Sequence, residues 1–120
     1  MSEEILKEEK KEEKISIKDF AKVEISVGEI KFVEKIENAD RLLRLEVDFG
    51  FEKRQIVSGI AEYYSGEDLI GKKCCFVTNL EPRIIKGFES NGMILAAKDE
   101  DGNFSLLNID PEIKVGTKLS

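Results

Sequence analysis

A chain of 120 residues, 41% of them hydrophobic, carries enough apolar material for one packed domain with a real core. It has no histidine, which excludes a Ser-His-Asp triad, a His-ligated zinc and an imidazole general base. Its formal net charge is −6, so a polyanionic ligand would have to be met by a local positive field and not by a generally basic particle.

No apolar run approaches the roughly 20 residues of a membrane-spanning helix. The start, "MSEEILKEEKKEEK", lacks an apolar signal core and is too acidic for a typical mitochondrial transit peptide. A cytoplasmic protein that does not enter a membrane is expected. Cys74 and Cys75 are adjacent, whereas thiols that share a metal or a redox bond need spacing that lets them converge. They are read as packing residues in a reducing compartment, with no metal site and no cofactor. The carboxylates are interspersed with lysine and include no isolated pair suited to acid-base work, so no catalytic residue is expected.

Residues 1 to 14 hold six acids and four lysines with little apolar material, the composition of a charged disordered tail or linker. The domain is expected over residues 15 to 120. In "SIKDFAKV", Ser16 with Asp19 three residues on predicts a capped helical turn with Ile17 and Phe20 on one side. Val23, Ile25, Val27, Ile30 and Phe32 then alternate with polar neighbours, predicting a long strand bent at Gly28. Ala39 and Asp40 are assigned to the turn that follows. Leu43, Leu45, Val47 and Phe49 repeat the alternation, with Arg44, Glu46 and Asp48 outward, and "RQIVSGIA" forms the next strand. In "YYSGEDLIGKK", Ser65 and Asp68 resemble a capping pair and Gly71 a stop, so a short helix is placed between strands.

Three further strands, "KCCFVTN", "MILAAK" and "FSLLNI", follow, the last two joined by the acidic turn "DEDGN". Asn91-Gly92 ahead of "MILAAK" predicts a tight hairpin, because both central residues of such a turn need positive φ. The fold class is all-β, and an OB-fold five-stranded Greek-key barrel with short helices is the natural candidate. Period alone leaves an SH3-like barrel or a small sandwich open.

Arg83, Lys86, Ser90, Asn91 and Met93 fall near one loop, and small barrels bind nucleic acid at such places. Met93 is equally eligible as a gap-filling core residue. Arg41, Arg44, Lys53 and Arg54 form a second basic group at the two ends of a predicted hairpin, where carboxylates such as Glu46 and Asp48 are available as partners. They are candidates for secondary RNA contacts. The final segment "FSLLNIDPEIKVG" holds Leu106, Leu107, Ile109, Ile113 and Val115, more apolar positions than one small barrel face needs, which points to a symmetric dimer.

Five blocks, "DFAKVEISVGEI", "NADRLLRLEVDFG", "RQIVSGIAEYY", "LIGKKCCFVTNLEPRIIKG" and "ESNGMILAA", resemble the tRNA-binding domain attached to methionyl-tRNA synthetases, in order and from Asp19 to the end. Similar domains occur as free-standing tRNA-binding proteins and in the endothelial-monocyte-activating polypeptide precursor. The resemblance implies an OB barrel that binds tRNA by shape and backbone, usually as a homodimer, and is not catalytic by itself. The synthetase's catalytic domain, which does the chemistry with ATP and methionine, would be its partner, with aminoacylation aided in trans. The resemblance carries Asn79, Arg83 and Lys86 over from "NLEPRIIKG", and Ser90, Asn91 and Met93 from "ESNGM". Ile84-Ile85 stands where many relatives place another lysine, and Asn91 where glutamine is commoner. The charged leader resembles the linker that joins such a domain to a synthetase body. A free-standing, chaperone-like peptide-binding protein of the same fold is the alternative. The leader contributes −2 of the net charge, leaving −4 on residues 15 to 120. RNA binding is therefore expected to be weak and to matter through tethering.

Overall fold

The computed structural model describes residues 13–120. The linker expected over residues 1 to 14 falls almost wholly outside the described residues.

Helix α1 (Ile17–Phe20) begins where the Ser16 hydroxyl accepts from the Asp19 amide at 3.0 Å, the expected cap. It buries none of its residues: Ile17 is 83% exposed and Phe20 48%. Strands β1 (Ile25–Ile36), β2 (Ala39–Asp48) and β3 (Lys53–Ser58) follow as an antiparallel meander. The β1–β2 turn is made by Glu37 and Asn38, with Asn38 at φ 62°, a left-handed conformation that asparagine tolerates. Ala39 and Asp40, assigned to this turn from the sequence, lie in β2 instead. At Gly28 a Cβ would sit 2.5 Å from Val47 Cγ1 and 2.7 Å from the Phe49 ring, so only glycine lets β1 pass this close to the core.

The first part of β1 pairs with β4 (Lys73–Val77) and the later part with β2. Between β3 and β4 stands helix α2 (Gly66–Leu69), which opens on a complete capping box between Ser65 and Asp68. Asp68 has its carboxyl pKa lowered, first by the side-chain hydrogen bond from Ser65. Gly71 follows at φ 89°, its amide donating to Ile30 O at 2.8 Å. The chain continues through β5 (Arg83–Ile85), β6 (Phe88–Ser90), β7 (Met93–Ile94), β8 (Ala96–Lys98) and β9 (Phe104–Leu106).

The main sheet has the order β3-β2-β1-β4-β7. It closes on itself because the Asn91 amide, between β6 and β7, donates to Gln55 O on β3 at 2.9 Å. The result is an all-β Greek-key barrel of the expected OB type, with β7 as the fifth strand. Side chains from the inner faces, including Ile30, Leu45, Val47, Phe49, Ile56 and Phe76, are fully buried. Each contributes about 1.5–3 kcal/mol by leaving water. Cys74 and Cys75 are buried free thiols; burial pushes Cys74 up to about 11 and Cys75 upward too, which keeps both protonated and unreactive.

Two further sequence expectations are corrected. Asn91-Gly92 is not a hairpin turn; the tight hairpin is β5–β6, turning at Lys86 (φ 50°) and Gly87 (φ 85°). "MILAAK" is broken into β7 and β8, since Leu95 lies between the edge that meets β4 and the edge that meets β9. The terminal segment buries only Leu106 of the apolar residues singled out in it, while Leu107 and Ile113 stay 39% and 41% exposed. That segment runs back along the β1 edge that β2 leaves open, with Val27 N donating to Thr117 O and Leu119 N to Ile25 O, both at 2.9 Å.

Candidate nucleic-acid interface

The β5–β6 hairpin is a short arm whose turn has both central residues at positive φ, the type I′ geometry that matches strand twist. Directly opposed residues share a face of a two-stranded ribbon, and the opposed pairs here are Arg83 with Ser90, Ile84 with Glu89 and Ile85 with Phe88. On the face shared with Arg83, Ser90 is buried and Ile85 and Phe88 are half-buried, whereas Ile84 on the other face is 70% exposed. Arg83 is exposed at the root of the arm and Lys86 at its tip. Among the described residues, neither has a carboxylate within salt-bridge distance, and neither does Lys53 on β3.

Two depressions meet at the root of this arm. A cavity of about 70 Å³ is lined by Val57, Leu80, Arg83, Ser90, Met93 and Ile94 among others. Beside it runs a more open groove of about 420 Å³, lined by Glu52, Lys53, Arg54, Gln55, Thr78, Leu80 and Asn91. Arg83, Met93, Lys53 and Asn91 thus converge on one region, as the loop reading required for all but Lys53. Met93 is 47% exposed, with its backbone paired to Val77. Gln55 and Leu80 also line the region and were missed. Gln55 is legible only as an outward position in "RQIVSG", and Leu80 as an apolar residue stranded in a polar turn.

Other candidates are spent on the fold. The Ser90 hydroxyl accepts from Val57 N at 2.9 Å and donates to Gly92 O at 3.3 Å, doing the work of a ladder carbonyl inside the barrel. The Asn79 side-chain amide holds the segment before β1: its Oδ1 accepts from Glu24 N at 2.8 Å and its Nδ2 donates to Lys22 O. Arg44 donates to Glu34 at 2.7 Å, Glu46 at 3.2 Å and Gln55 at 3.1 Å, and lies 5.4 Å from the centre of the Phe32 ring. Hydrogen bonding to Glu34 is the main reason its pKa is raised further. Arg54 is similarly enclosed, by Glu52, Thr78 O and Asn91 O. Arg41 sits near Lys98, whose ammonium lies 5.6 Å from the centre of the Tyr63 ring; neither cation lines the groove. Of the second basic group, Arg44, Lys53 and Arg54 line one shallow groove with Glu46 and Gln55, but Arg44 and Arg54 are held in ion pairs there and Arg41 stands apart.

The arm thus carries Arg83 and Lys86 beside a mixed groove on an acidic barrel. Residues 25–118 match the family described as "Putative tRNA binding domain". The chain belongs to this tRNA-binding domain family. It is 52% identical over 117 residues to methionine–tRNA ligase 1 of Bacillus anthracis and 50% identical over 109 residues to the methionine–tRNA ligase of Methanocaldococcus jannaschii. These alignments take in 98% and 91% of this chain but only 18% and 17% of the ligases, so the chain spans less than a fifth of those relatives. Among solved structures, a MetRS-related protein from Pyrococcus horikoshii superposes with a TM-score of 0.86 at 42% identity, over 90% of this chain and 99% of that one. The chaperone CsaA of Bacillus anthracis gives a TM-score of 0.80 at 31% identity, over 89% of this chain and 99% of that one. The kinship of the domain is to the methionine–tRNA ligases.

Proposed function

We propose that this domain binds tRNA through its backbone and shape and, in the cytoplasm, serves a methionyl-tRNA synthetase as an appended domain or separate subunit, aiding aminoacylation in trans to the catalytic domain. The observation that carries the reading is the pair of unopposed cations, Arg83 and Lys86, on an arm beside the groove that Lys53 rims. In a chain of net charge −6 these are the local field that a phosphate backbone needs. The relatives' identity as methionine–tRNA ligases supports the synthetase as the partner. The exposed apolar residues of α1, with Leu107 and Ile113, support a symmetric dimer, which light scattering at high protein concentration tests.

The test is Arg83→Glu with Lys86→Glu. Titration of wild type with tRNA should show affinity falling with salt at a log-log slope of about −2 to −4, as for roughly three to five neutralised phosphates. The double variant should lose tRNA binding at low salt while its melting temperature barely moves, since exposed charges contribute little to folding. Binding equal to wild type sinks the site assignment. A second reading, capture of unfolded polypeptide, is favoured by the apolar lining of the small cavity, Val57, Leu80, Met93 and Ile94, and by the likeness to CsaA. It predicts saturation by a denatured protein and none by tRNA.

A further inference from the structure

Arg54 donates four hydrogen bonds that lead to three different segments. Its Nε and Nη2 both reach Glu52 Oε1, at 2.9 and 2.6 Å, and its Nη1 reaches Thr78 O and, at 3.4 Å, Asn91 O. The guanidinium carbon also lies 5.8 Å from the centre of the Phe49 ring, a core residue with no exposed surface. Thr78 O is the first carbonyl after β4 ends at Val77, and Asn91 O is the first after β6 ends at Ser90. One side chain on β3 therefore grips both ends of the segment that carries Arg83 and Lys86. Gln55, the next residue, adds a third tie by donating from Nε2 to Glu89 O at 2.9 Å.

The charge of Arg54 is already answered by Glu52, and its guanidinium makes four hydrogen bonds to protein acceptors, with the side chain 23% exposed. A planar fork with five donors can make this set of contacts at once; an ammonium on a flexible stem cannot. On the tRNA reading above, we propose that Arg54 is a positioning residue: it fixes the root of the β5–β6 arm so that Arg83 and Lys86 meet the phosphate backbone in one orientation, and it does not itself neutralise a phosphate. An arm held in its binding geometry loses less freedom on complex formation, and the affinity gained in that way carries no salt dependence of its own.

The two roles separate in a pair of variants, Arg54→Lys and Arg54→Gln, of the full 120-residue chain. Each is titrated with a full-length tRNA transcript at several salt concentrations, well below its melting temperature. Positioning predicts that both lose affinity by about ten- to a hundredfold, because both lose the fork, while the log-log salt slope stays at the wild-type value. Amide hydrogen exchange over residues 78–91 should rise in both relative to the β1–β2 core. A phosphate contact predicts instead that Arg54→Lys binds nearly as wild type, and that Arg54→Gln loses about 0.9 from the slope. That outcome overturns the proposal, and so does wild-type affinity in both variants. If Arg54→Gln does not fold, Arg54→Lys decides alone, since retained affinity refutes and lost affinity at unchanged slope supports. The tRNA reading itself stands or falls with the titration of the wild-type chain, and the arm as its site with the Arg83 and Lys86 reversal made with Arg54 intact, so the failures are distinguishable.

Discussion

Ser90→Ala separates a residue that builds the barrel from one that touches RNA. Ser90 is 4% exposed and its hydroxyl is the acceptor for the Val57 amide at 2.9 Å, on a residue that is itself only 6% exposed. Alanine fits the space, so the change removes the acceptor and leaves a buried N–H without a partner. That costs about 1–3 kcal/mol. For a domain of this size each kcal/mol lowers the melting temperature by about 4–8 °C. The assay is thermal unfolding followed by circular dichroism, alongside tRNA titration at several salt concentrations. Whatever affinity is lost with stability should leave the salt slope untouched, because no phosphate partner has gone. An unchanged melting temperature with a tenfold loss of affinity would refute the structural assignment and return Ser90 to the RNA surface.

Met93→Ala should cost less than the roughly 2–5 kcal/mol of a core methionine, since the side chain is 47% exposed, and should weaken tRNA binding by about three- to tenfold through lost apolar contact. A full core-sized destabilisation with unchanged affinity would place it in the interior instead. Burial raises the Cys74 thiol from 9.0 to about 11, so its contribution to stability is complete below pH 9 and is lost as pH rises towards 11, by an amount on the order of 2–3 kcal/mol. Urea midpoints measured from pH 8 to 11 should fall over that window, and a flat profile would contradict the burial argument.

Local pattern was enough for much of this protein. Period-two alternation marked β1, β2 and β3, and Ser16 and Ser65 marked both short helices, because a cap is a contact between residues three apart. It also singled out the arm's Arg83 and Lys86, which the blocks resembling tRNA-binding domains contain. Tertiary structure decided the rest. Asn91-Gly92 has the better turn chemistry by itself, yet Lys86-Gly87 turns the hairpin. The reason is that Asn91 is held by Gln55 and Arg54, more than thirty residues earlier, to close the barrel. Ser90 likewise reads as a loop hydroxyl until Val57 is placed beside it. Arg54 and Arg83 are the same residue type in equally charged surroundings along the chain. Only the closed barrel brings Thr78 and Asn91 to one of them, beside its near neighbour Glu52, and leaves the other facing the small cavity, because these contacts join segments far apart in sequence.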